Sequence, residues 1–120
     1  MPTRYRYGKS QRLGGRGTFK TIREHGVRET RGPLAAAAVA NDSPRSRLGI
    51  SIGRPVGTAV KRNRIKRLLR EAFRLVQHDF PRAYDLVITV RPHEPMILAE
   101  YQRLLTALMV RLHRKWEQRR

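Results

Sequence analysis

The sequence predicts an α+β fold in which helices back a sheet, and three observations carry that expectation. Arg47-Leu-Gly-Ile-Ser-Ile52 alternates like a half-buried strand, with Leu48, Ile50 and Ile52 on one side and Arg47, Gly49 and Ser51 on the other. Leu86-Val-Ile-Thr-Val90 is a short apolar run suited to a central strand. Two stretches carry helical spacing instead: Ile65, Leu68, Leu69, Ala72, Phe73 and Val76, then Leu98, Tyr101, Leu104, Leu105, Leu108, Leu112 and Trp116. A strand, helix, strand passage implies that 47–52 and 86–90 run parallel, and general rules favour a right-handed crossover.

Taken in order, residues 1–17 mix cations, glycines and two tyrosines without apolar periodicity, so residues 1–12 are expected to form a flexible basic arm. Thr18 suits an N-cap and Gly26 a stop, which predicts a short helix over Phe19 to His25 that needs a sheet to lie on. Leu34-Ala-Ala-Ala-Ala-Val-Ala40 is helical by propensity, yet Pro33 before it and the Asn41-Asp-Ser-Pro44 turn after it permit a strand. The 47–52 strand is expected to pair with that segment as a hairpin. Gly53-Arg-Pro-Val-Gly57 turns the chain into the helix of 56–77, with Thr58 as its N-cap. Asp79-Phe-Pro81 breaks it, Arg91 to Met96 is a turn-rich connection, and the final apolar stripe reads as core. Arg111, Arg114, Lys115, Arg119 and Arg120 suit the negative pole of that last helix, and 117–120 reads as a basic tail.

The helix of 56–77 is the feature that bears on function. Asn63, Arg67, Arg70 and Arg74 fall opposite its apolar stripe, flanked by Arg64 and Lys66, and Glu71 is its only acid. Solvated helix faces usually mix signs, because oppositely charged i, i+4 pairs stabilise and like charges repel. Lys61, Arg62 and Arg64 also crowd the first turns, where the macrodipole favours acids. A local rule broken in this way points to a polyanion surface, since free N–H groups and fixed cations at a helix start suit phosphate oxygens.

Composition agrees. The 120 residues are 39% hydrophobic, enough for one domain with a core, and 27 basic against 9 acidic residues give a net charge of +18. Such a field attracts nucleic acid or anionic membrane. The membrane alternative lacks both an apolar run of about 18 residues and an interfacial helix with exposed aromatics. Without a charged leader followed by an apolar stretch, and without cysteine, a cytoplasmic protein is expected.

Gly57-Thr-Ala-Val-Lys-Arg-Asn-Arg-Ile-Lys-Arg-Leu-Leu-Arg-Glu-Ala-Phe-Arg74 resembles the Arg-Asn-Arg signature of the bacterial ribonuclease P protein subunit. Agreement extends to Leu13, Phe19, Gly26, Arg47 to Ile52, Tyr84 to Pro92 and a C-terminal helix. The resemblance implies a two-layer sandwich with about four strands in a mixed sheet, in the order α-β-β-β-α-β-α, with a left-handed parallel crossover. It favours a strand for the alanine run. It also implies a function: binding the catalytic RNA and the 5′ leader of precursor tRNA, with Mg²⁺ held mainly by the RNA partner. On that reading Lys61, Arg62, Asn63, Arg64, Lys66, Arg67 and Arg70 hold RNA, while Phe19, Arg23, Ala37, Leu48 and Ile50 border a leader groove. This chain departs from the family in three places: Arg23 replaces a second groove aromatic, Ala35 and Ala37 replace bulkier groups, and Pro55 stands where a lysine is common beside Arg54.

No protein active site is expected. The acids Glu24, Glu29, Asp42, Glu71, Asp79, Asp85, Glu94, Glu100 and Glu117 are scattered, and His25, His78, His93 and His113 show no ligand spacing. Gly14-Gly-Arg-Gly17 lacks the Gly-Lys-Ser/Thr of a P-loop. No small-molecule substrate is implied. The rival reading is a general RNA-binding or ribosome-associated protein; a helix-turn-helix DNA module is disfavoured because the basic helix lies between strands.

Overall fold

The computed structural model describes residues 13, 14 and 16–119, so the expected arm over 1–12 and Arg120 lie outside the described residues. The elements run α1 (Arg16–His25), β1 (Val27–Arg31), β2 (Leu34–Ala40), β3 (Arg47–Ile52), α2 (Ala59–Val76), β4 (Tyr84–Val90) and α3 (Leu98–Gln118). This is the α+β order expected, with boundary corrections. Helix α1 begins ahead of Thr18, which lies exposed in its first turn, and α3 runs through Gln118, so Glu117 and Gln118 of the expected tail are helical. Gly26 does end α1, donating to the Ile22 carbonyl at 2.8 Å. A Cβ at Gly26 would lie 2.5 Å from the carbonyl oxygens of both Ile22 and Ala38, so no larger residue lets the chain turn there.

The alanine run is a strand, against its helix propensity. Ala36, Ala37 and Ala38 are all buried, Ala36 and Ala38 beneath α2 and α3 and Ala37 on the opposite side against α1. Position in the sheet overrides a preference of tenths of a kcal/mol per residue.

The expected hairpin between β2 and β3 does not form. The sheet order is β1-β2-β4-β3, with β4 inserted between them, antiparallel to β2 and parallel to β3. The physical reason lies in β4: Leu86, Val87 and Ile88 are each at most 1% exposed, so both faces of this strand need cover and both edges need partners. The connection over 41–46 is pinned across the intruder. Asn41 donates to Asp85 Oδ1 at 2.7 Å, Arg47 grips the same carboxylate at 2.8 and 2.6 Å, and the Tyr84 amide donates to Ser46 Oγ at 3.0 Å.

Helices α2 and α3 cover one face of the sheet around Leu34, Leu48, Ile65, Leu69, Phe73, Tyr84, Leu86, Ile88, Tyr101 and Leu105. Each such side chain contributes about 1.5–3 kcal/mol on burial. Helix α1, with Leu13 ahead of it, covers part of the other face, Phe19 and Ile22 packing with Ala37, Val39 and Val87. Two histidines serve buried tyrosines: His113 Nδ1 lies 2.7 Å from the Tyr84 hydroxyl, and His93 Nε2 lies 2.7 Å from that of Tyr101. No helix among the described residues is long and apolar enough to cross a membrane.

Candidate nucleic-acid interface

Helix α2 is fixed by what it buries. Ile65, Leu69, Ala72, Phe73 and Val76 face the sheet and α3, and Thr58 caps its start by accepting from the Lys61 amide at 3.2 Å. The remaining surface must then carry the cations. Asn63, Arg64 and Arg67 are exposed; Arg62, Lys66 and Arg70 are half-buried alongside them. Among the described residues, no ion pair involves Arg62, Arg64, Lys66, Arg67 or Arg70, while Glu29, Glu71, Asp85, Glu94 and Glu100 are each matched by another cation. Arg62 Nε donates to the Gly57 carbonyl at 3.1 Å, which orients it without cancelling its charge. Arg70 Nε is buried with no hydrogen-bond partner, a donor whose desolvation costs about 1–3 kcal/mol in the free protein.

Two expected members of the ridge are neutralised. Lys61 Nζ lies 2.6 Å from Glu94 Oε2, reached from the loop before α3, and Arg74 is gripped by Glu71 at 2.6 and 2.8 Å. The bonds from Arg74 hold the Glu71 carboxyl below its usual range, and that from Lys61 does the same for Glu94. The cationic patch is therefore narrower than the sequence implies and lies between these two pairs.

On the other face of the sheet, α1 and the strands form a shallow groove. The Phe19 ring lies directly on Gly49, where any side chain would collide with it. Arg23 extends over Phe19, its guanidinium carbon 5.8 Å from the ring centroid, and donates to Thr89 Oγ1 at 3.2 Å. Beside Arg23 a cavity of about 150 Å³ opens over Ala35, Ala37, Val87 and Thr89, with Arg28 and Thr30 of β1 as its far wall. Small alanines leave this floor low.

The structure brings Phe19, Arg23 and Ala37 together and separates Leu48 and Ile50 from them. Leu48 is 1% exposed in the main core and Ile50 packs against that core, on the side of the sheet that α2 covers. The alternation of β3 is as expected but its assignment to faces is reversed: its apolar side meets the thicker helical layer, and its Arg47, Gly49 and Ser51 side faces the groove. Val87, Thr89 and Gly49 went unrecognised. A strand apolar on both sides gives no parity signal, but a glycine inside an alternating strand does mark a close approach.

No group of three or more His, Asp or Glu side chains among the described residues could hold a metal ion. A sheet-backed helix that presents uncompensated guanidinium groups defines a polyanion-binding α+β domain. The family model for ribonuclease P matches residues 7–114, and the chain belongs to that family. It is the protein subunit of a ribonucleoprotein endoribonuclease of tRNA processing, in which it has an accessory role.

Relatives agree. The ribonuclease P protein component of Syntrophus aciditrophicus is 40% identical over 83 residues, covering 69% of this chain and 70% of that one. That of Desulfatibacillum aliphaticivorans is 38% identical over 87 residues, covering 72% and 74%. The RNase P protein from Thermotoga maritima superposes with a TM-score of 0.74 at 30% identity, over 83% of this chain and 96% of that one. The RNase P protein of Staphylococcus aureus gives 0.72 at 29%, over 85% and 94%.

Proposed function

We propose that the α2 ridge holds the catalytic RNA while the groove beside α1 receives the 5′ leader of precursor tRNA, so that the protein assists endonucleolytic 5′ maturation. The observation that carries this reading is the set Arg62, Arg64, Lys66, Arg67 and Arg70, cationic and without acid partners among the described residues. Asn63 stands among them as a neutral donor. In the groove, Phe19 and Arg23 offer a stacking surface over an apolar floor that includes Ala37, which suits single-stranded bases. A compact cation between two polyanions lowers their repulsion and so favours substrate association. Cleavage would use Mg²⁺ held mainly by the RNA, since the chain's acids at Glu29, Glu71, Asp85 and Glu94 are engaged by its own cations. On this reading the assembly works in the cytoplasm, where precursor tRNA is made, and the chain acts in it as a single RNA-binding domain over 1–120.

Counterion release tests the ridge. Five phosphate contacts at about 0.7–0.9 per phosphate give a slope of about −3.5 to −4.5 in log K against log salt for the RNA subunit. Replacing Arg64, Arg67 and Arg70 by Gln should reduce its magnitude by about 2–3. A wild-type slope near −1 contradicts the assignment. Processing of precursor tRNA at low Mg²⁺ by a matching RNA subunit, with and without the protein, then separates this role from general RNA binding; no stimulation favours the latter.

A further inference from the structure

A second set of cations starts at the far wall of the groove with Arg28 and continues beyond it, where the function so far described assigns nothing. Arg28 and Arg31 are exposed on β1, one edge of the sheet, and Arg111 and Arg114 are exposed on α3, which packs against that strand. None of the four is in an ion pair among the described residues, although nearby acids are: Glu29 is held by Lys115 at 2.9 Å and Glu100 by Arg103 at 2.6 Å. Their placement is fixed by register. Arg28 lies opposite Ala37, on the groove side, whereas Arg31 lies opposite Leu34, which faces α3. Arg111 is close enough to Glu29 to help hold its carboxyl below the usual range, which places that helical cation beside the β1 edge.

Ordinary stabilisation explains only part of this. Charges on an edge strand discourage edge-to-edge pairing, which accounts for β1. The macrodipole rewards cations in the last turn of a helix, which here holds Lys115; Arg111 and Arg114 precede it, where the effect has faded. Arg28 lines the groove cavity, Arg31 and Arg111 lie where β1 meets α3, and Arg114 is one turn further along α3, where it also borders a cavity beside Asp79 and Glu117.

We propose that these four residues form a track for the upstream part of a long leader, single-stranded RNA that leaves the groove at Arg28 and continues over Arg31, Arg111 and Arg114. The inference rests on the groove reading and extends it: the protein would grip long leaders more tightly than short ones through phosphates alone, without regard to sequence. Cations outside any ion pair among the described residues, with no aromatic ring among them, fit a backbone track.

The test uses the assembled enzyme with a matching RNA subunit and precursor tRNA carrying no leader, a leader of about 4 nucleotides or one of about 16, the span of single-strand site sizes on small domains. Wild-type affinity should rise at both steps. The triple variant Arg31→Gln, Arg111→Gln, Arg114→Gln should keep the first rise and lose the second, and its salt slope with the long leader should fall by about 2. These side chains are exposed, so the fold should survive, and retained binding of the short leader verifies that in the same assay. Equal wild-type affinity for short and long leaders overturns the track and leaves the groove standing. Affinity indifferent to any leader overturns both. Equal weakening of all three substrates by the triple variant shows a diffuse charge effect and also overturns the track.

Discussion

Gly49→Ala is the smallest change that should disturb the groove while leaving the cationic ridge of α2 alone. A Cβ built at Gly49 lies 2.5 Å from Phe19 Cζ and 3.3 Å from Leu13 Cβ, so the ring must leave the sheet or α1 must shift. Overpacking of this kind costs about 1–3 kcal/mol. Removing a glycine from a strand returns about 0.5–1 kcal/mol, leaving a net loss of about 0–2.5 kcal/mol and a fall in Tm of up to about 10 °C for a domain of this size. Thermal unfolding by circular dichroism measures the first effect. The second is functional: with Phe19 displaced, Arg23 loses the ring beneath it, so affinity should fall for precursor tRNA with a leader and stay unchanged for the isolated RNA subunit. Phe19→Leu in the same chain should recover part of the stability, because a smaller side chain makes room for the methyl, without restoring leader affinity. Wild-type stability together with wild-type leader binding in Gly49→Ala would refute the packing argument and the use of Phe19 as a groove wall.

Three further outcomes follow from individual contacts. Glu94→Gln releases Lys61 to the ridge, so the salt slope for RNA-subunit binding should steepen by up to about 0.9; an unchanged slope means that Lys61 never turns toward RNA. Lys115 holds the Glu29 carboxyl below its ordinary value of 4.5, so its contribution to stability is complete above that pH and is lost as pH falls through the lowered value. Glu29→Gln should accordingly flatten the acid side of a denaturant-midpoint profile, and an identical profile would sink the claim. Burial pushes the Tyr84 hydroxyl up to about 12, so ultraviolet titration should show a late phenolate component that Tyr84→Phe removes.

The sequence made legible what depends on local pattern. Helix α2, its Thr58 cap and its apolar stripe follow from spacing, and the parallel relation of β3 to β4 follows from the helix between them. What it hid depends on choices between faces and partners. The alanine run reads correctly only once its burial from both sides is known. The insertion of β4 between β2 and β3 arises from a contest among strands over who occupies the centre, and no short window contains both contestants. The same holds for the site: Leu48 and Ile50 had the right periodicity for a groove wall, but the more apolar face of β3 was drawn to the deeper core.

Charge was subject to the same limit. A row of arginines along one helix is visible in the sequence, yet which of them remain available is decided by acids distant along the chain or a turn away. Glu94 removes Lys61 across 33 positions, and Glu71 removes Arg74 across three. The surviving set lies between those pairs, so the acids do more than balance charge: they set the limits of the unpaired cationic surface. If those limits matter, then removing Glu71 should act like removing Glu94, extending the cationic surface at its other end at some cost in discrimination among RNAs. Binding of an unrelated structured RNA, compared between Glu71→Gln and wild type at one salt concentration, should rise relative to that of the matching RNA subunit; an equal change for both would mean the acids only tune overall charge.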